Sequence, residues 1–381
     1  MKKLQFLAVL AVVFSPGLAH AAAPMCGDTV TNNVKLRADL DCSAVSAPFD
    51  ALTIGADNLT INLGGYEIIG PNFDPNTACP ATSAGGDGDG TKGIVVEGYD
   101  NINILNGAVQ GFERGIRVKN AEMIRISNIE AYDNAFSAVR IRENAHVDIN
   151  NSNFHDNRND HIGVSAGGHL SLMNTKLVDG CASGTFVFPP NTGLSLPGGH
   201  ADIKHSSFVD NLRSAVNFWG ATGSVEHSLI SGNDANTLNS FSSDFGQISL
   251  TNLEGGDISI RCNDIRDSDD ANNKIERGIG FRGSIAATAV EVTKNLFVNN
   301  PVAIHFSTDG TLVTVDIHKN TFDDTNTTDF EFVNNTWTVD ADKNFYVRSS
   351  GPVIVNTGPS ILDTDPVLNK AQHCRGAVGV Q

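Results

Sequence analysis

The sequence is poor in positive charge and contains few tryptophans. It has 26 lysine and arginine residues against 43 aspartate and glutamate residues, a formal net charge of −17, and only two tryptophans. Such an excess of negative charge disfavours binding to nucleic acid and to anionic membranes. Any cluster of cations therefore stands out as a candidate binding surface.

Long apolar runs are absent after the first 24 residues, where none approaches the roughly 18 to 20 residues that span a membrane. The opening MKKLQFLAVLAVVFSPGLAHAAAP has two lysines, an apolar run and small residues around Ala19 and Ala21. This is the pattern of a secretory signal peptide. We predict cleavage after Ala21 or Ala23 and a secreted or periplasmic protein without membrane insertion.

The sequence also lacks any Cys-x-x-Cys motif, which disfavours a compact structural zinc site or a redox motif. Its six cysteines stand at positions 26, 42, 79, 181, 262 and 374. An even number in an exported chain favours disulfides, for which 15 connectivities exist. We predict a bond between Cys26 and Cys42, which bracket a short first segment.

Long helical patterns are missing, and the chain instead repeats a short motif. The motif reads apolar-x-apolar-x-Asn, then an apolar residue and a polar turn, as in NINILNGAVQGF (101–112) and HVDINNSNFHDN (146–157). The Asn column of this motif consists of Asn106, Asn128, Asn151, Asn174, His205, His227, Cys262, Lys294 and Lys319. The first four are 22, 23 and 23 residues apart, and a fixed period of this size is typical of repeat architectures.

A second short strand lies between these segments. It reads GIVVE (93–97), GIRVK (115–119), AVRIR (138–142), HIGVS (161–165), GLSLP (193–197), AVNFW (215–219), QISLT (247–251), GIGFR (278–282) and AIHFS (303–307). Stacked short strands with alternate residues facing a core predict an all-β parallel β-helix of about ten coils. Asn at a sharp corner tolerates a left-handed backbone, and its amide can bond to the next coil. The Leu-x-x-Leu-x-Leu motif of a leucine-rich repeat is absent.

The opening CGDTVTNNVKLRADLDC, followed by LTIGADNLTINLGGYEIIG, resembles the start of bacterial right-handed β-helix repeat proteins (the pectin-lyase-like and NosD-like superfamily) over residues 26–340. The resemblance implies a right-handed solenoid with an N-terminal cap. It does not specify function, because the superfamily includes lyases, hydrolases, esterases, epimerases, adhesins and periplasmic copper proteins. We expect a signal peptide at 1–23, a cap at 24–48, the β-helix at 49–345 and a C-terminal tail at 346–381 packed on the last coils.

The stretch NNSNFHDNRNDHIGVS (150–165) concentrates groups that bind metals or move protons. In register, His155 and Asp156 match the turn residues of other coils, so we interpret them and Arg158 as solvated turn residues. His161 differs, because most coils have Gly or Ala at its position, just before the inward-facing Ile162. We expect His161 to point outward and make it a candidate functional residue.

The outward columns of the second strand place four cations on two neighbouring rungs, about 4.8 Å apart. We call this group the cation square; it consists of Arg117, Lys119, Arg140 and Arg142. Stacked like charges are unfavourable without counter-anions. The protein itself could neutralise the square through Glu97, Glu143 or Asp133. Alternatively, an anionic ligand supplies the negative charge, and the planar fork of arginine suits a carboxylate or sulfate.

A low floor and an aromatic residue are predicted beyond the cation square. The floor consists of Gly163, Ser165, Ser195 and Pro197, and Asn217 and Trp219 follow it. An outward Trp219 can stack on a sugar ring, although packing against a loop is the alternative. Together these residues predict a groove that binds an acidic polysaccharide. We expect the protein to be a monomer.

The resemblance to polyuronate lyases of this superfamily implies roles for the residues of the groove. Arg117 and Arg142 would hold the uronate carboxylate, and Lys119, Asn217 and Trp219 would contact the rest of the polymer. His161 or Arg140 would remove the carbon-bound proton, and Tyr132 would protonate the leaving oxygen.

Two functions remain open at this point. The favoured one is an exported carbohydrate-active protein that acts on or binds an acidic polysaccharide, as a polysaccharide lyase if it is an enzyme. The alternative is a non-catalytic surface or periplasmic binding solenoid, adhesin-like or NosD-like. Internal neutralisation of the cation square would favour the alternative.

Metal binding has two weaker candidates in the sequence. Asp87 and Asp89 in GGDGDG (85–90) could bind calcium, or they could belong to a glycine-rich insertion. His205 and His227 stand one coil apart in the corner column, as a copper pair or as stacked corner residues. No cofactor follows with certainty from either pattern.

Overall fold

The computed structural model describes residues 23–71, 90–165, 167–181, 185–187, 198–233, 246–253, 256–268, 277–283, 289–307, 314–333, 337–356, 361–363, 368 and 374. Every regular element within these ranges is a β-strand, and all the strand pairings are parallel. No helix long and apolar enough to cross a membrane occurs in the described part of the chain.

The strands form two stacked sheets, which we call sheet A and sheet B. Sheet A has one strand from each coil: Asp28–Val30, Asp50–Ile54, Lys92–Glu97, Arg114–Lys119, Ser137–Arg142, Ile162–Val164, Thr185–Val187, Val216–Trp219, Ile248–Thr251, Arg277–Arg282, Val302–Phe306, Thr328–Phe332 and Ile354–Asn356.

Sheet B bends at a corner, and most coils contribute one strand on each side of it. Its strands are Val34–Lys35, Leu40–Asp41, Thr60–Asn62, Glu67–Ile69, Asn103–Gln110, Ile124–Tyr132, His146–Asn150, Asn153–His155, His169–Met173, Lys176–Val178, His200–Lys204, Ser207–Val209, Thr222–Glu226, Leu229–Ser231, Ile258–Arg261, Asp264–Arg266, Val290–Thr293, Leu296–Val298, Thr314–His318, Thr321–Phe322, Thr338–Asp340, Phe345–Tyr346 and Ile361–Asp363. The predicted all-β parallel solenoid is therefore confirmed.

One predicted strand of sheet A is wrong. The strand after Ile162–Val164 is Thr185–Val187, which pairs with it on one side and with Val216–Trp219 on the other. The sequence interpretation had assigned that place to GLSLP (193–197). Both segments are short and apolar, so alternation alone does not choose between them.

The predicted left-handed corners are confirmed. All nine residues of the Asn column have positive φ, between 49° at His205 and 61° at Cys262. Asn128 donates its amide to Asn106 Oδ1 of the preceding coil at 3.1 Å. Four of the nine are asparagine, which tolerates this conformation better than most residues.

The interior is a continuous apolar core in which like residues stack from coil to coil. Phe281, Phe306 and Phe332 stack with ring centroids 4.7 Å apart at each step. Phe297 and Phe322 form a second such stack with centroids 5.0 Å apart. Each coil therefore buries its apolar side chains against the next coil rather than within itself.

Two disulfides tie the ends of the described chain. Cys26 is bonded to Cys42, as predicted, and Cys262 is bonded to Cys374. Cys181 is disulfide-bonded as well. Disulfides of this kind persist in oxidising compartments.

Candidate functional site

The cation square lies on the outer face of sheet A in the predicted register. Arg140 pairs with Arg117, and Arg142 pairs with Lys119, on neighbouring strands. Glu97 precedes Lys119 on the next strand, and Gly163 follows Arg140. Strict alternation along each strand turns all four cations away from the core.

Lys119 is neutralised by the protein itself. Its Nζ lies 3.1 Å from Glu97 Oε1 and 3.1 Å from Glu143 Oε2. The hydrogen bond that Lys119 donates to Glu97, and then the one it donates to Glu143, raises the pKa of Lys119. One corner of the cation square therefore carries its own counter-anions.

Arg140 is buried rather than presented to solvent, with 7% of its surface exposed. Its guanidinium lies over Gly163, where a Cβ would overlap Nη1. Glycine at 163 thus gives the guanidinium room to lie flat against the sheet. Arg140 is packed into the face and takes part in interactions there.

Arg117 has the most open environment of the four. It is half-buried, and among the described residues it forms no hydrogen bond or ion pair. Its lateral neighbours are the buried Val95 on one strand and Arg140 on the other. A positive charge thus remains available on sheet A at Arg117.

The face beyond the square differs from the predicted floor. Phe186 rather than Ser195 stands between Gly163 and Asn217, because the strand is Thr185–Val187. Asn217 is buried at 4% exposure, and its Oδ1 has no hydrogen-bond partner in the described ranges. Trp219 is 41% exposed at the end of its strand, as an outward residue should be.

His161 does not point outward, and that expectation was wrong. It is fully buried, and Asn157 Nδ2 lies 2.9 Å from its Nδ1. Burial lowers the pKa of His161 to about 4, against the opposing influence of the Val178 carbonyl and the Asn211 side chain. An imidazole held neutral inside the solenoid cannot reach a polysaccharide on the outer face.

The surroundings of His161 explain its burial. A ladder of side-chain amides runs inside one corner, from coil to coil, through Asn134, Asn157, Asn211, Asn233, Asn300 and Asn326. By strand register, two coils lack the asparagine and have Gly180 and Ser268 in its place. We call this series the asparagine ladder.

Long side chains from sheet A fill both gaps. At the first gap, His161 Nε2 lies 2.7 Å from where a Cβ of Gly180 would be. At the second, Gln247 Oε1 accepts from Asn233 Nδ2 (3.1 Å), and Gln247 Nε2 donates to the Arg266 carbonyl (2.8 Å) and to Asn300 Oδ1 (3.3 Å). Buried amides left without partners would cost about 1–3 kcal/mol each. Gln247 satisfies the ladder at the second gap. At the first gap His161 pairs with Asn157, while its Nε2 has no hydrogen-bond partner in the described part of the chain.

The position of His161 is therefore a structural one that sequence reasoning missed. Gln247 occupies the same position, just before the first inward residue of its strand, as does the buried Asp329. Asp329 accepts a hydrogen bond from the Val353 amide (2.9 Å) and lies 3.5 Å from Arg348. Aligning the coils could have revealed this role. Most coils have Gly or Ala at the position of His161, and each large residue found there precedes a coil that lacks the ladder asparagine.

Tyr132 lies on sheet B, away from the role that the resemblance implied. Its hydroxyl lies 3.4 Å from both carboxylate oxygens of Glu67, and its ring stacks on His155 with centroids 5.0 Å apart. Burial, and then the negative charge of Glu67, raise the pKa of Tyr132 to about 12. The structure thus joins Tyr132 to His155 rather than to the cation square.

The turn residue His155 is ion-paired on the surface. Its ring nitrogens lie 2.7 Å from Asp156 Oδ2 and 3.0 Å from Glu130 Oε1. Burial lowers the pKa of His155, but these two carboxylates outweigh it and the net pKa is raised. Asp156 has a left-handed backbone, like Asp133, Asp179, Asp210 and Asp267 in other coils. The interpretation as solvated turn residues fits Asp156, whereas His155 ends the strand Asn153–His155 and Arg158 is buried.

Two residues of sheet A that the sequence analysis did not select form a pair in which His305 is buried and Glu331 is half-buried. His305 Nδ1 lies 2.7 Å from Glu331 Oε2 on the next strand, and the hydrogen bond lowers the pKa of Glu331. The predicted calcium ligands Asp87 and Asp89 lie outside the described residues.

Comparison with known proteins identifies the fold. A family model described as "Right handed beta helix region" matches residues 92–252. No curated protein sequence matches the chain. The matching solved structures share little sequence with it, so their likeness concerns the fold alone.

Three of these structures illustrate the range. The catalytic unit of an α-1,3-glucanase from Streptomyces thermodiastaticus is 11% identical, with a TM-score of 0.38, 84% of this chain covered and 57% of that chain. The A-module of a mannuronan C-5 epimerase from Azotobacter vinelandii is 13% identical (TM-score 0.44; 90% and 87% covered). A surface adhesin of Streptococcus pneumoniae is 10% identical (TM-score 0.43; 88% and 82% covered).

This chain spans a little over half the length of the α-1,3-glucanase structures. The parallel strand topology and the matched family model together show that the chain is a right-handed parallel β-helix protein.

Proposed function

We propose that this protein is an exported, non-catalytic solenoid that binds an acidic polysaccharide along sheet A, from Arg117 to Trp219. The observation that carries the proposal is the half-exposed Arg117, which has no counter-anion among the described residues although its neighbour Lys119 has two. An anionic ligand would supply the missing charge.

The chemistry of the face suits a charged sugar polymer. A guanidinium presents a planar fork that holds a carboxylate or sulfate by two hydrogen bonds. Trp219, 41% exposed, offers an apolar ring face on the same side of the sheet. Four rung steps separate Arg117 from Trp219, roughly 19 Å, so an extended oligosaccharide rather than a monosaccharide would contact both.

Binding is favoured over cleavage because two of the three proposed proton-transfer groups, His161 and Tyr132, are not on the face, and the third, Arg140, is buried in it. His161 is buried in the asparagine ladder, and Tyr132 lies on sheet B with its pKa raised to about 12. A general acid with so high a pKa transfers its proton poorly near neutral pH. The internal neutralisation of Lys119 also favours the binding hypothesis.

Export is part of the same proposal. It rests on the signal-peptide pattern of residues 1–23 and on the disulfides Cys26–Cys42 and Cys262–Cys374. A polysaccharide ligand outside the cytoplasm is consistent with both.

Affinity electrophoresis in gels containing pectate, alginate, hyaluronan or chondroitin tests the proposal. At least one polymer should retard the protein, and Arg117→Ala should weaken that binding about 10- to 100-fold, the equivalent of one charged hydrogen-bonding contact. Trp219→Ala should weaken it too, while Arg261→Ala on sheet B should not.

Cleavage is measured in parallel by ultraviolet absorbance of unsaturated uronates and by new reducing ends. Neither product should form. Turnover that depends on Arg140 would overturn the non-catalytic proposal in favour of a lyase, and the absence of retardation by any of the four polymers would overturn the ligand class.

A further inference from the structure

Sulfur and nitrogen donors from successive coils meet at one corner of sheet B. His205, His227 and Cys262 occupy the left-handed corner position in three coils whose strands pair directly. Cys374, from the C-terminal part of the chain, is bonded to Cys262. The same corner position holds only Asn or Lys in the other coils of the column.

The donor atoms are close enough to share one ion. One side-chain donor atom from each of His227, Cys262 and Cys374 lies within 4.8 Å of the other two. The ring of His205 lies nearly parallel to that of His227, with centroids 5.1 Å apart and an interplanar angle of 20°. Cys262 is buried and His227 is half-buried, so the group is partly shielded from water.

This arrangement escapes the usual sequence signature. Zinc sites of the Cys₂His₂ type bring their ligands together by short loops such as Cys-x-x-Cys. Here each of three donors comes from a different coil, and the rung spacing of about 4.8 Å places them side by side. Two thiolates and one imidazole form a donor set that suits a thiophilic ion in tetrahedral geometry, with the fourth position left to water.

We propose that the Cys262–Cys374 disulfide covers a latent metal site: after its reduction, both thiolates and the imidazole of His227 bind Zn²⁺. The ion then takes over the role of the disulfide, because it still links the C-terminal part of the chain to the coil of Cys262. The inference does not depend on polysaccharide binding.

The reduction requires an external donor of two electrons. A phosphine breaks the sulfur–sulfur bond and is oxidised to the phosphine oxide with the oxygen of one water molecule. The two hydrogens of that water end on Cys262 and Cys374 as thiols. Each thiol releases one proton to solvent when its sulfur binds the ion.

Co²⁺ titration of the whole protein tests the proposal, because cobalt reports thiolate ligands by a charge-transfer band in the near ultraviolet. After phosphine reduction and removal of the phosphine without oxygen, one Co²⁺ per chain should give this band, and Zn²⁺ should displace it. The oxidised protein should give no band. Absence of the band in the reduced, folded protein would overturn the proposal.

Matched variants assign the ligands. His227→Ala should weaken Co²⁺ binding at least about tenfold, the minimum for disturbing a metal site. His146→Ala, which removes an exposed imidazole elsewhere on sheet B, should leave the titration unchanged. Equal binding by the two variants would mean that the ion sits elsewhere.

Reduction also opens Cys26–Cys42 and the disulfide of Cys181, so a second variant avoids unfolding as an explanation. Cys374→Ser leaves Cys262 as a free thiol beside His227 while Cys26–Cys42 remains intact. Without any reductant, it should bind Co²⁺ more weakly but with a thiolate band, and Cys262→Ser/Cys374→Ser should lose the band. A folded Cys374→Ser protein without the band contradicts the site.

Discussion

The imidazole of His161 occupies the place that an asparagine side chain at position 180 would take in the next coil. Its Nδ1 meets the amide of Asn157, and its Nε2 lies 2.7 Å from the Cβ that Gly180 lacks. One residue of sheet A thus completes a ladder that the other coils build from their own asparagines. The pair His161 and Gly180 behaves as a single structural unit.

Replacement of His161 by Ala should destabilise the fold by about 2–4 kcal/mol, because it opens a cavity and removes the hydrogen bond between the imidazole and Asn157. Gly180→Asn alone should also destabilise, since its Cβ would lie 2.7 Å from the imidazole. The double variant should recover part of the loss, as measured by urea denaturation. If the double variant loses as much stability as the two single variants together, an asparagine at position 180 does not replace His161 in the ladder.

Protonation of His161 should make stability depend on pH. Burial lowers the pKa of His161 from 6.5 to about 4. Between these values the unfolded imidazole binds a proton and the folded one does not, so acid favours unfolding. The free energy of unfolding keeps this contribution in full above pH 6.5. It falls by at most about 3 kcal/mol as the pH drops to about 4.

The measurement compares urea denaturation at pH 7 and pH 4.5 for the native protein and His161→Gln, an amide of the kind found at Gln247. Other groups titrate equally in both proteins, so the variant should lose less stability on acidification. Identical losses would show that His161 is not the group responsible.

Gly163→Ala should displace the guanidinium of Arg140, because the new Cβ would overlap Nη1. We expect a loss of about 1–3 kcal/mol, the usual cost of overpacking. Arg140→Ala/Gly163→Ala should be no less stable than Arg140→Ala alone, since the overlap is gone. Thermal unfolding of the three variants measures the coupling.

Removal of the counter-anions of Lys119 should strengthen polysaccharide binding. Glu97→Gln and Glu143→Gln each free part of the Lys119 charge, and exposed ion pairs of this kind contribute at most about 1 kcal/mol to stability. The affinity for the retarding polymer should rise and become more sensitive to salt. Glu291→Gln on sheet B serves as the control, and unchanged affinity in Glu97→Gln would place the polymer away from Lys119.

The fold followed from the sequence because its signals are local and repeated. The corner residues from Asn106 to Lys319 reveal the period, and each needs only its own backbone conformation to be recognised. The strand Thr185–Val187 was missed because it lies in a long segment where two short apolar stretches compete. Inward and outward alternation also placed the cation square correctly.

The candidate site was harder to predict because exposure depends on neighbouring coils. His161 stands beside the corner, where alternation no longer determines direction, and its burial depends on the missing side chain of Gly180. The raised pKa of Tyr132 depends on burial and then on Glu67, which is 65 residues earlier in the chain. The outward register of Arg140 suggested an exposed side chain. Its guanidinium is instead packed over Gly163, which the sequence analysis had assigned only to the low floor of the groove.

Constant spacing across the bend of sheet B determines where this molecule can change during evolution. Val147 and Phe154, Leu170 and Leu177, and Ala201 and Phe208 are inward pairs that are each seven residues apart. One extra residue between such partners would turn the following apolar side chains towards water. The longer stretches 72–89, 188–197, 234–245 and 269–276 instead adjoin strands of sheet A. Insertions and deletions at these points of the sequence leave the seven-residue spacing of sheet B unchanged, so the chain can gain or lose segments there while the scaffold is inherited unaltered.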